Sequence, residues 1–215
     1  RVDGTRLLAS ALAGLKRPPK VLISASAVGF YGNRGDEELD EQSPPGTGFL
    51  AGLCRDWEAA TEPAAQAGIR VVTARFGVIL AREGGALARM LPIFRLGLGG
   101  RLGSGRQFMS WITLDDALGA LRFVVADDSL SGPVNLVAPN PVTNREFTKT
   151  LGRVLHRPTL LPAPALALRI ALGEMAGEML LASARVLPRR LLASGFRPTA
   201  RALEPALRAT VEPSV

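Results

Sequence analysis

The sequence predicts an α/β fold in which a parallel sheet is covered by helices and followed by a smaller, mainly helical subdomain. Three short apolar segments have the composition of buried parallel strands, and helical patterns separate them. The C-terminal tail has a helical pattern throughout. Of the 215 residues 47% are hydrophobic and 21% are charged, so the chain can bury a core and is not disordered overall.

Local patterns place the individual strands and helices. Strands are predicted at 20–25, 69–75 and 133–137. Helices are predicted at 5–15, 49–66 with a kink near Pro63, 86–96, 116–126, 143–155, 164–181, 188–193 and 200–210. Residues 26–48 are rich in Gly, Asp, Glu and Pro and predict a long loop. Asp115 is expected to cap the helix at 116–126, while Thr143 and Glu146 have the spacing of a capping box.

Composition argues against several kinds of site. With one cysteine and one histidine, the chain has neither a disulfide framework nor the ligands of a common zinc site, so no metal is predicted. Its longest apolar stretch, 162–181, is interrupted by three charged residues, so no membrane span is predicted. Because no signal peptide is recognisable, we expect a cytoplasmic protein without a membrane partner.

The chain is basic, with a formal net charge of +7. Its 26 basic residues include three lysines, and the arginines are scattered along the sequence rather than clustered. A basic balance is typical of nucleic-acid partners, but aromatic residues do not interleave with these arginines as a single-strand-binding surface requires. We therefore interpret the charge as a compositional bias and predict no nucleic-acid partner.

The most informative segment follows the first predicted strand. Residues 24–32 are Ser-Ala-Ser-Ala-Val-Gly-Phe-Tyr-Gly, so a buried strand ends in small hydroxyl residues and then turns through glycine. Ligands of doubly wound sheets bind at the carboxyl ends of strands, where a serine can donate a hydrogen bond to a carbonyl or hydroxyl group. The spacing leaves open the alternative that the serine only satisfies the turn.

Several motifs together resemble a known family. They are Ser-x-Ser-x-x-x-x-Tyr-Gly at 24–32, Trp-Glu at 57–58, Arg-Phe-Gly-Val-Ile-Leu at 75–80, and further matches at 94–100, 102–107, 111–116, 172–175, 186–188 and 191–196. In this combination the chain resembles an extended short-chain dehydrogenase/reductase. More narrowly, it resembles the atypical NAD(P)-dependent epimerase-like family that carries a C-terminal domain of unknown function. The resemblance covers nearly the whole chain.

The resemblance implies how the chain is divided. Residues 1–138 correspond to a partial Rossmann-like NAD(P)-binding domain, the C-terminal portion of a doubly wound sheet, with 82–112 contributing to the substrate side. Residues 139–215 correspond to a helical C-terminal domain, of which 162–211 match the domain of unknown function. Family members begin with a glycine-rich turn that holds the dinucleotide pyrophosphate, and this sequence lacks such a turn. We therefore expect the N-terminal part of the family fold to be missing.

The resemblance also implies NADP as the cofactor and a set of residues around it. These residues are Arg1, Ser24, Ala25, Arg75, Gly77, Val78 and Ile79. Arg1 corresponds to an arginine that approaches the cofactor phosphates, and Ile79 follows a turn that contacts the nicotinamide end. For Arg75, a structural ion pair at the strand end is the alternative.

The catalytic set of the larger superfamily is only partly present. Its reductases use a serine, a tyrosine and a lysine four residues after the tyrosine. Ser26 corresponds to the serine and is predicted to orient the reacting oxygen. Phe49 and Leu53 stand near the other two positions and cannot transfer a proton. With Trp57 they recur at every fourth residue, which predicts one apolar helix face packed in the core.

Three further side chains have open interpretations. Tyr31 is the one tyrosine of the chain, and it either replaces the missing acid or belongs only to the turn. Glu58 either faces the cleft or is a solvated helix carboxylate. Cys54 is interpreted as a small core residue, because the sequence supplies no evident base for it.

Two functions fit these observations. The first is an NADP-dependent oxidoreductase or epimerase-like enzyme acting on a small molecule, with a homodimer as an open alternative to a monomer. The second is a non-catalytic NADP-binding regulatory or scaffold protein, which the missing tyrosine–lysine pair favours. Met109 stands near the position where sugar-nucleotide epimerases place an arginine for the substrate diphosphate, which argues against a nucleotide-sugar substrate.

Overall fold

The computed structural model describes residues 1–166 and 176–212. Its strands are β1 (Val21–Ala27), β2 (Glu38–Leu39), β3 (Arg70–Phe76), β4 (Val78–Leu80), β5 (Phe108–Met109), β6 (Trp111–Thr113), β7 (Gly132–Leu136), β8 (Val142–Thr143) and β9 (Arg185–Val186). Its α-helices are α1 (Val2–Ala13), α2 (Phe49–Ala59), α3 (Glu62–Gln66), α4 (Gly85–Arg95), α5 (Leu114–Ala126), α6 (Asn144–Val154), α7 (Arg189–Ala193) and α8 (Leu203–Val211). A 3-10 helix spans Val28–Tyr31, and a π-helix spans Ala176–Leu180.

The central sheet contains three parallel strands in the order β1-β3-β7. Val21 of β1 pairs with Arg70 of β3, and Val72 of β3 pairs with Gly132 of β7. Helical segments connect consecutive strands, as parallel pairing requires. The predicted α/β class, with its parallel sheet and three apolar strands, is therefore confirmed.

The two faces of the sheet are covered by different helices. On one face, Val71 of β3 packs with α1 and α3 around Ala9, Ala64 and Ile69. On the other face, Val72 packs with α5. Because side chains alternate along a strand, Ser26 and Arg75 lie on the first of these faces, beside α2.

A second core lies beyond the carboxyl ends of the sheet strands. It joins α4, α6 and α8 to the short strands β4 and β6. Its large buried members are Leu80, Leu87, Leu91, Phe94, Trp111, Phe147, Leu151, Leu203, Leu207 and Val211. This core packs α4, which belongs to the region predicted to contribute to the substrate side, against α6, α8 and the short strands.

The two predicted helix caps had different outcomes. The capping box is confirmed, because the N–H of Glu146 donates to Thr143 Oγ1 at 3.2 Å and the N–H of Thr143 donates to Glu146 Oε2 at 2.8 Å. The predicted cap at Asp115 is wrong. Thr113 has extended backbone and accepts from the N–H of Asp116 at 3.2 Å, while Asp115 already lies in the first turn of α5.

The segments around 26–66 are more structured than predicted. The predicted helix 49–66 is two helices, α2 and α3. Pro63 lies in the first turn of α3, where a backbone N–H would have no intrahelical acceptor, so proline costs no hydrogen bond there. The predicted loop 26–48 contains the 3-10 helix and β2, which pairs in parallel with β9. Strand β4 was not predicted, because it follows β3 after the single residue Gly77.

The C-terminal tail is described in part. The predicted helix 164–181 lies partly outside the described residues, and its described end is the π-helix. The helices predicted at 188–193 and 200–210 correspond to α7 and α8. No helix in the described ranges is long and apolar enough to cross a membrane.

Candidate functional site

A cleft of about 520 Å³ opens at the carboxyl ends of β1 and β3. Ala27 and Phe76 from the strand ends, with Gly77 and Val78 just beyond them, form one side of it. Leu50, in the first turn of α2, also lines the cleft. This is the position at which doubly wound sheets bind their ligands.

Ser26 belongs to a buried polar network beside this cleft. Its hydroxyl donates to Glu58 Oε1 at 2.6 Å. Arg75, the register partner of Ser26 on β3, donates from Nε and Nη2 to the two oxygens of Glu58 at 2.8 Å each. The network therefore ties α2 to both strands, and the fork geometry makes this a strong ion pair.

The network continues to Tyr31 and the third strand. Arg75 Nη1 donates to the Tyr31 hydroxyl at 3.0 Å, and that hydroxyl donates to Asn135 Oδ1 on β7 at 2.8 Å. The Arg75 guanidinium also lies 3.5 Å from the centroid of the Phe30 ring. Polar contacts therefore connect all three strands of the sheet near their carboxyl ends.

The asparagine is in turn held by a buried carboxylate. Glu41 Oε1 accepts from the N–H of Asn135 at 3.1 Å, and its other oxygen accepts from the N–H of Arg190 at 3.3 Å. Burial raises the pKa of Glu41, against the lowering effect of these hydrogen bonds. Glu41 thus joins the loop before α2 to β7 and α7.

Burial and neighbouring charges set the protonation states of Tyr31 and Arg75 in the network. Burial is the largest effect on Tyr31 and raises the pKa of its phenol, although Arg75 opposes this. Burial alone would lower the pKa of Arg75, but the hydrogen bonds and charge attraction to Glu58 raise it, and the hydrogen bond to Tyr31 adds to this effect. At neutral pH Arg75 is therefore a cation and Tyr31 a neutral phenol.

Both predicted catalytic hydroxyls are enclosed by protein. Ser26 is 3% exposed and Tyr31 is 0% exposed. Each donates its proton to another side chain, Ser26 to Glu58 and Tyr31 to Asn135. Their catalytic roles stay predictions, and contact with a substrate oxygen requires that these hydrogen bonds open.

Of the residues predicted to bind the cofactor, Gly77 and Val78 line the cleft. Ile79 lies in β4 and pairs with Ile112. Arg75 has its guanidinium in the ion pair with Glu58, which was the alternative stated for it.

The other three predicted cofactor residues lie around β1 and α1. Ser24 is buried, and Ala25 is exposed. Arg1 precedes α1, with its guanidinium carbon 5.0 Å from the centroid of the Trp57 ring. None of the three lines the cleft.

The structure corrects two interpretations of α2. Phe49 is 74% exposed, so the predicted core face of Phe49, Leu53 and Trp57 is wrong, and the buried residues of α2 are Ala51 and Cys54. Glu58 neither faces the cleft nor is solvated, because its side chain is 14% exposed and bound to Arg75. The interpretation of Cys54 as a core residue is confirmed, and burial raises the pKa of its thiol.

Sequence reasoning also missed a carboxylate in the cleft. Glu178, on the π-helix, accepts from the N–H of Phe49 at 2.7 Å with one oxygen and from the N–H of Leu50 at 2.7 Å with the other. Among the lining residues that the structure describes, Glu178 alone has an acidic or basic side chain. A separation of about 130 residues leaves no local signal for such a contact.

Comparisons with known proteins show the family to which the chain belongs. Residues 163–210 match the model of a domain of unknown function, DUF1731. The chain is 54% identical over 197 residues to the epimerase family protein Mb2239 of Mycobacterium bovis, covering 92% of this chain and 65% of that protein. It is 42% identical over 208 residues to the epimerase family protein YfhF of Bacillus subtilis, covering 96% of this chain and 68% of that protein.

The chain belongs to this epimerase family. The predicted family resemblance is therefore confirmed. Another family member, human SDR39U1, is 39% identical over 198 residues, covering 92% of this chain and 67% of that protein. The chain spans 65% of the length of the mycobacterial epimerase family protein, so it corresponds to a part of such a protein.

Solved structures place the fold in the same group. The crystal structure of human epimerase family protein SDR39U1 with NADPH matches with a TM-score of 0.93 at 37% identity, covering 98% of this chain and 71% of that chain. A nucleoside-diphosphate sugar epimerase from Corynebacterium glutamicum matches with a TM-score of 0.79 at 39% identity, covering 98% and 41%. UDP-glucose 4-epimerase from Thermus thermophilus, at 19% identity over 98% of this chain and 66% of that one, shares the fold with a TM-score of 0.70.

Proposed function

We propose that the chain forms the nicotinamide side of an NADP(H)-dependent oxidoreductase or epimerase-like protein that acts on a small molecule. The observation that carries this proposal is the cleft at the carboxyl ends of β1 and β3, the ligand position of doubly wound sheets. The human relative crystallised with NADPH supports the choice of cofactor.

The cleft fits the nicotinamide end of the cofactor better than its phosphates. Ala27, Phe76 and Val78 give it apolar walls that suit an uncharged ring. The N–H groups of Gly77 and Val78 already donate to Leu136 and Ser110 backbone oxygens, at 3.2 and 2.8 Å, and are not free for phosphate. In this proposal the pyrophosphate is bound by the part of the family fold that the chain does not span.

The bound nicotinamide would exchange a hydride with a carbon of the substrate. The walls of the cleft would hold that carbon against the ring. Ser26 would orient the substrate oxygen after its hydroxyl turns away from Glu58. Because Phe49 and Leu53 have no transferable proton, water would supply the proton that the reduced oxygen gains.

A second candidate is an NADP-binding regulatory or scaffold protein without turnover. One observation favours it: the hydroxyl protons of Ser26 and Tyr31 both bind other side chains of the buried network. In this alternative the network only holds α2 against the sheet.

The test of the proposed function has two stages. Calorimetric titration with NADPH and with NADH measures whether the protein binds a nicotinamide cofactor and which of the two it prefers. We expect binding of NADPH, and tighter binding when the chain is extended to the length of its relatives. Equal affinity at both lengths would contradict the assignment of the pyrophosphate to the part that is not spanned.

The second stage separates the two candidates. A panel of aldehydes and ketones is incubated with protein and NADPH, and the loss of nicotinamide absorbance is followed. Turnover that depends on protein concentration supports the oxidoreductase. Tight NADPH binding without turnover of any panel member, or of the corresponding alcohols with NADP, supports the regulatory or scaffold protein.

A further inference from the structure

One wall of the cleft is a helix N-terminus that is already occupied. The first N–H groups of a helix point outward and bind anions such as phosphate or carboxylate. Helix α2 begins at Phe49 beside the cleft, and the N–H groups of Phe49 and Leu50 both donate to the carboxylate of Glu178. A side chain of the protein itself therefore fills the position that an anionic group of a ligand would take.

The segment that carries Glu178 is fastened to the opposite loop. The N–H of Ser183 donates to Asn33 Oδ1 at 3.0 Å, and the N–H of Arg34 donates to the Ser183 oxygen at 2.8 Å. The Ser183 hydroxyl also bonds to the Gly35 oxygen. These contacts anchor the chain five residues after Glu178.

The residue before α2 is adapted to the same contact. Gly48 has a φ of +103°, which side-chain-bearing residues rarely adopt. A Cβ at this position would stand 2.7 Å from Glu178 Oε1. Glycine thus allows the carboxylate to reach the first two N–H groups of the helix.

The rest of the described lining is mainly apolar. Leu50, Phe76, Val78 and Met109 supply its larger side chains. Asn33, Thr47 and Ser110 are its uncharged polar side chains. The Ser110 hydroxyl is committed to the backbone at and just before β9, since it donates to the Ala184 oxygen at 2.8 Å and accepts from the N–H of Val186 at 2.9 Å. The part of the lining that the structure describes therefore combines apolar side chains with one carboxylate, that of Glu178.

We propose that Glu178 is a specificity-determining residue, which restricts the cleft to uncharged, mainly apolar carbonyl or alcohol substrates. The inference rests on the proposed function and adds a substrate class to it. A substrate with a phosphate or carboxylate group must either displace Glu178 from α2 or lie against its charge. Like charges a few ångströms apart in a partly desolvated cleft repel strongly, so anionic substrates are selected against.

The first experiment measures binding of an anion without reference to turnover. Inorganic phosphate is titrated into labelled protein, and the amide resonances of Phe49 and Leu50 are followed. In the unchanged protein these two resonances should not move. In Glu178→Ala the freed N–H groups should give saturable shifts, with phosphate bound at least about tenfold more tightly than in the unchanged protein.

Two further variants control this experiment. Glu62→Ala removes an exposed carboxylate on α3 and makes the same change in net charge, so it should behave as the unchanged protein. Glu178→Gln keeps the shape of the side chain and should give smaller shifts, because its amide oxygen still occupies one N–H. Saturable phosphate shifts at Phe49 and Leu50 in the unchanged protein would overturn the proposal.

The second experiment measures specificity during turnover. Cyclohexanone and its 4-carboxylate derivative are compared as substrates with NADPH. The unchanged protein should favour the neutral ketone by at least about tenfold in kcat/KM, and Glu178→Gln should reduce that ratio. A ratio that Glu178→Gln leaves unchanged would overturn the proposal. If neither ketone reacts, the phosphate titration alone decides whether Glu178 excludes anions, and the panel of aldehydes, ketones and alcohols decides the proposed function separately.

Discussion

Replacing Glu58 by alanine tests whether the buried network holds the site together. The substitution removes the acceptor of two hydrogen bonds from Arg75 and one from Ser26. It leaves the Arg75 guanidinium, whose side chain is 4% exposed, without its counter-ion. The aromatic ring of Phe30 and the Tyr31 hydroxyl remain as its neighbours, and neither replaces a carboxylate.

The magnitude follows from the burial of the pair. Breaking a buried ion pair by removing one partner costs about 3–5 kcal/mol of unfolding free energy, because the remaining charge stays desolvated. Some of this cost is relieved by water, since the Glu58 side chain is 14% exposed. We therefore expect a loss near the lower end, about 3 kcal/mol. The double variant Glu58→Ala/Arg75→Met should recover part of this loss of unfolding free energy. The coupling energy between the two positions should be about 0.5–3 kcal/mol.

Urea unfolding followed by tryptophan fluorescence measures this loss. Trp57 is adjacent to Glu58 in α2 and reports on that helix directly. Glu62→Ala is the matched control, because removing its exposed carboxylate should lower the unfolding free energy by no more than about 0.5 kcal/mol. A loss for Glu58→Ala that does not exceed the control would refute the account of the network as the link between α2 and the sheet.

Two other predictions concern the hydroxyl groups of the network. Tyr31 is the one tyrosine in the chain, so the ultraviolet absorbance of phenolate follows its titration alone. Burial raises the pKa of Tyr31 in the folded protein above the ordinary value of about 10. The unfolding free energy should therefore be undiminished below pH about 10 and should fall as the pH rises through the folded pKa. Tyr31→Phe should remove this part of the fall. A native phenol that titrates at the ordinary value would contradict the burial argument. If Ser26 orients the reacting oxygen, Ser26→Ala should slow single-turnover hydride transfer by about 10²- to 10³-fold and leave NADPH affinity nearly unchanged, whereas full activity would remove the serine from the chemistry.

The features that the sequence predicted correctly depend on neighbouring residues. An apolar strand followed by a helical pattern is a local signal, and it was enough for the parallel sheet. The capping box at Thr143 and Glu146 needs only a spacing of three residues. Even so, a local signal was insufficient at α5, where the backbone conformation selected Thr113 over Asp115 as the cap.

The features that the sequence did not predict depend on distant residues. Whether Phe49 is buried depends on which face of α2 meets the sheet, and that face carries Ala51, Cys54 and Glu58. The hydrogen bond between Tyr31 and Asn135 joins residues that are 104 positions apart in the sequence, and the one between Phe49 and Glu178 joins residues 129 positions apart. No periodicity or spacing encodes contacts of this range, so the network and the occupied helix N-terminus are found only in the folded structure.

The central claim is that the nicotinamide end of NADPH binds between the ends of β1 and β3. Nuclear Overhauser contacts between NADPH and the methyl groups of the protein test it most directly, and they detect weak binding as well as strong. We expect the nicotinamide ring protons to contact the methyl groups of Val78 and Leu50, which line the cleft. Contacts confined to the surface depression that is lined by Lys149, Arg153 and His156 on and after α6 would contradict the account.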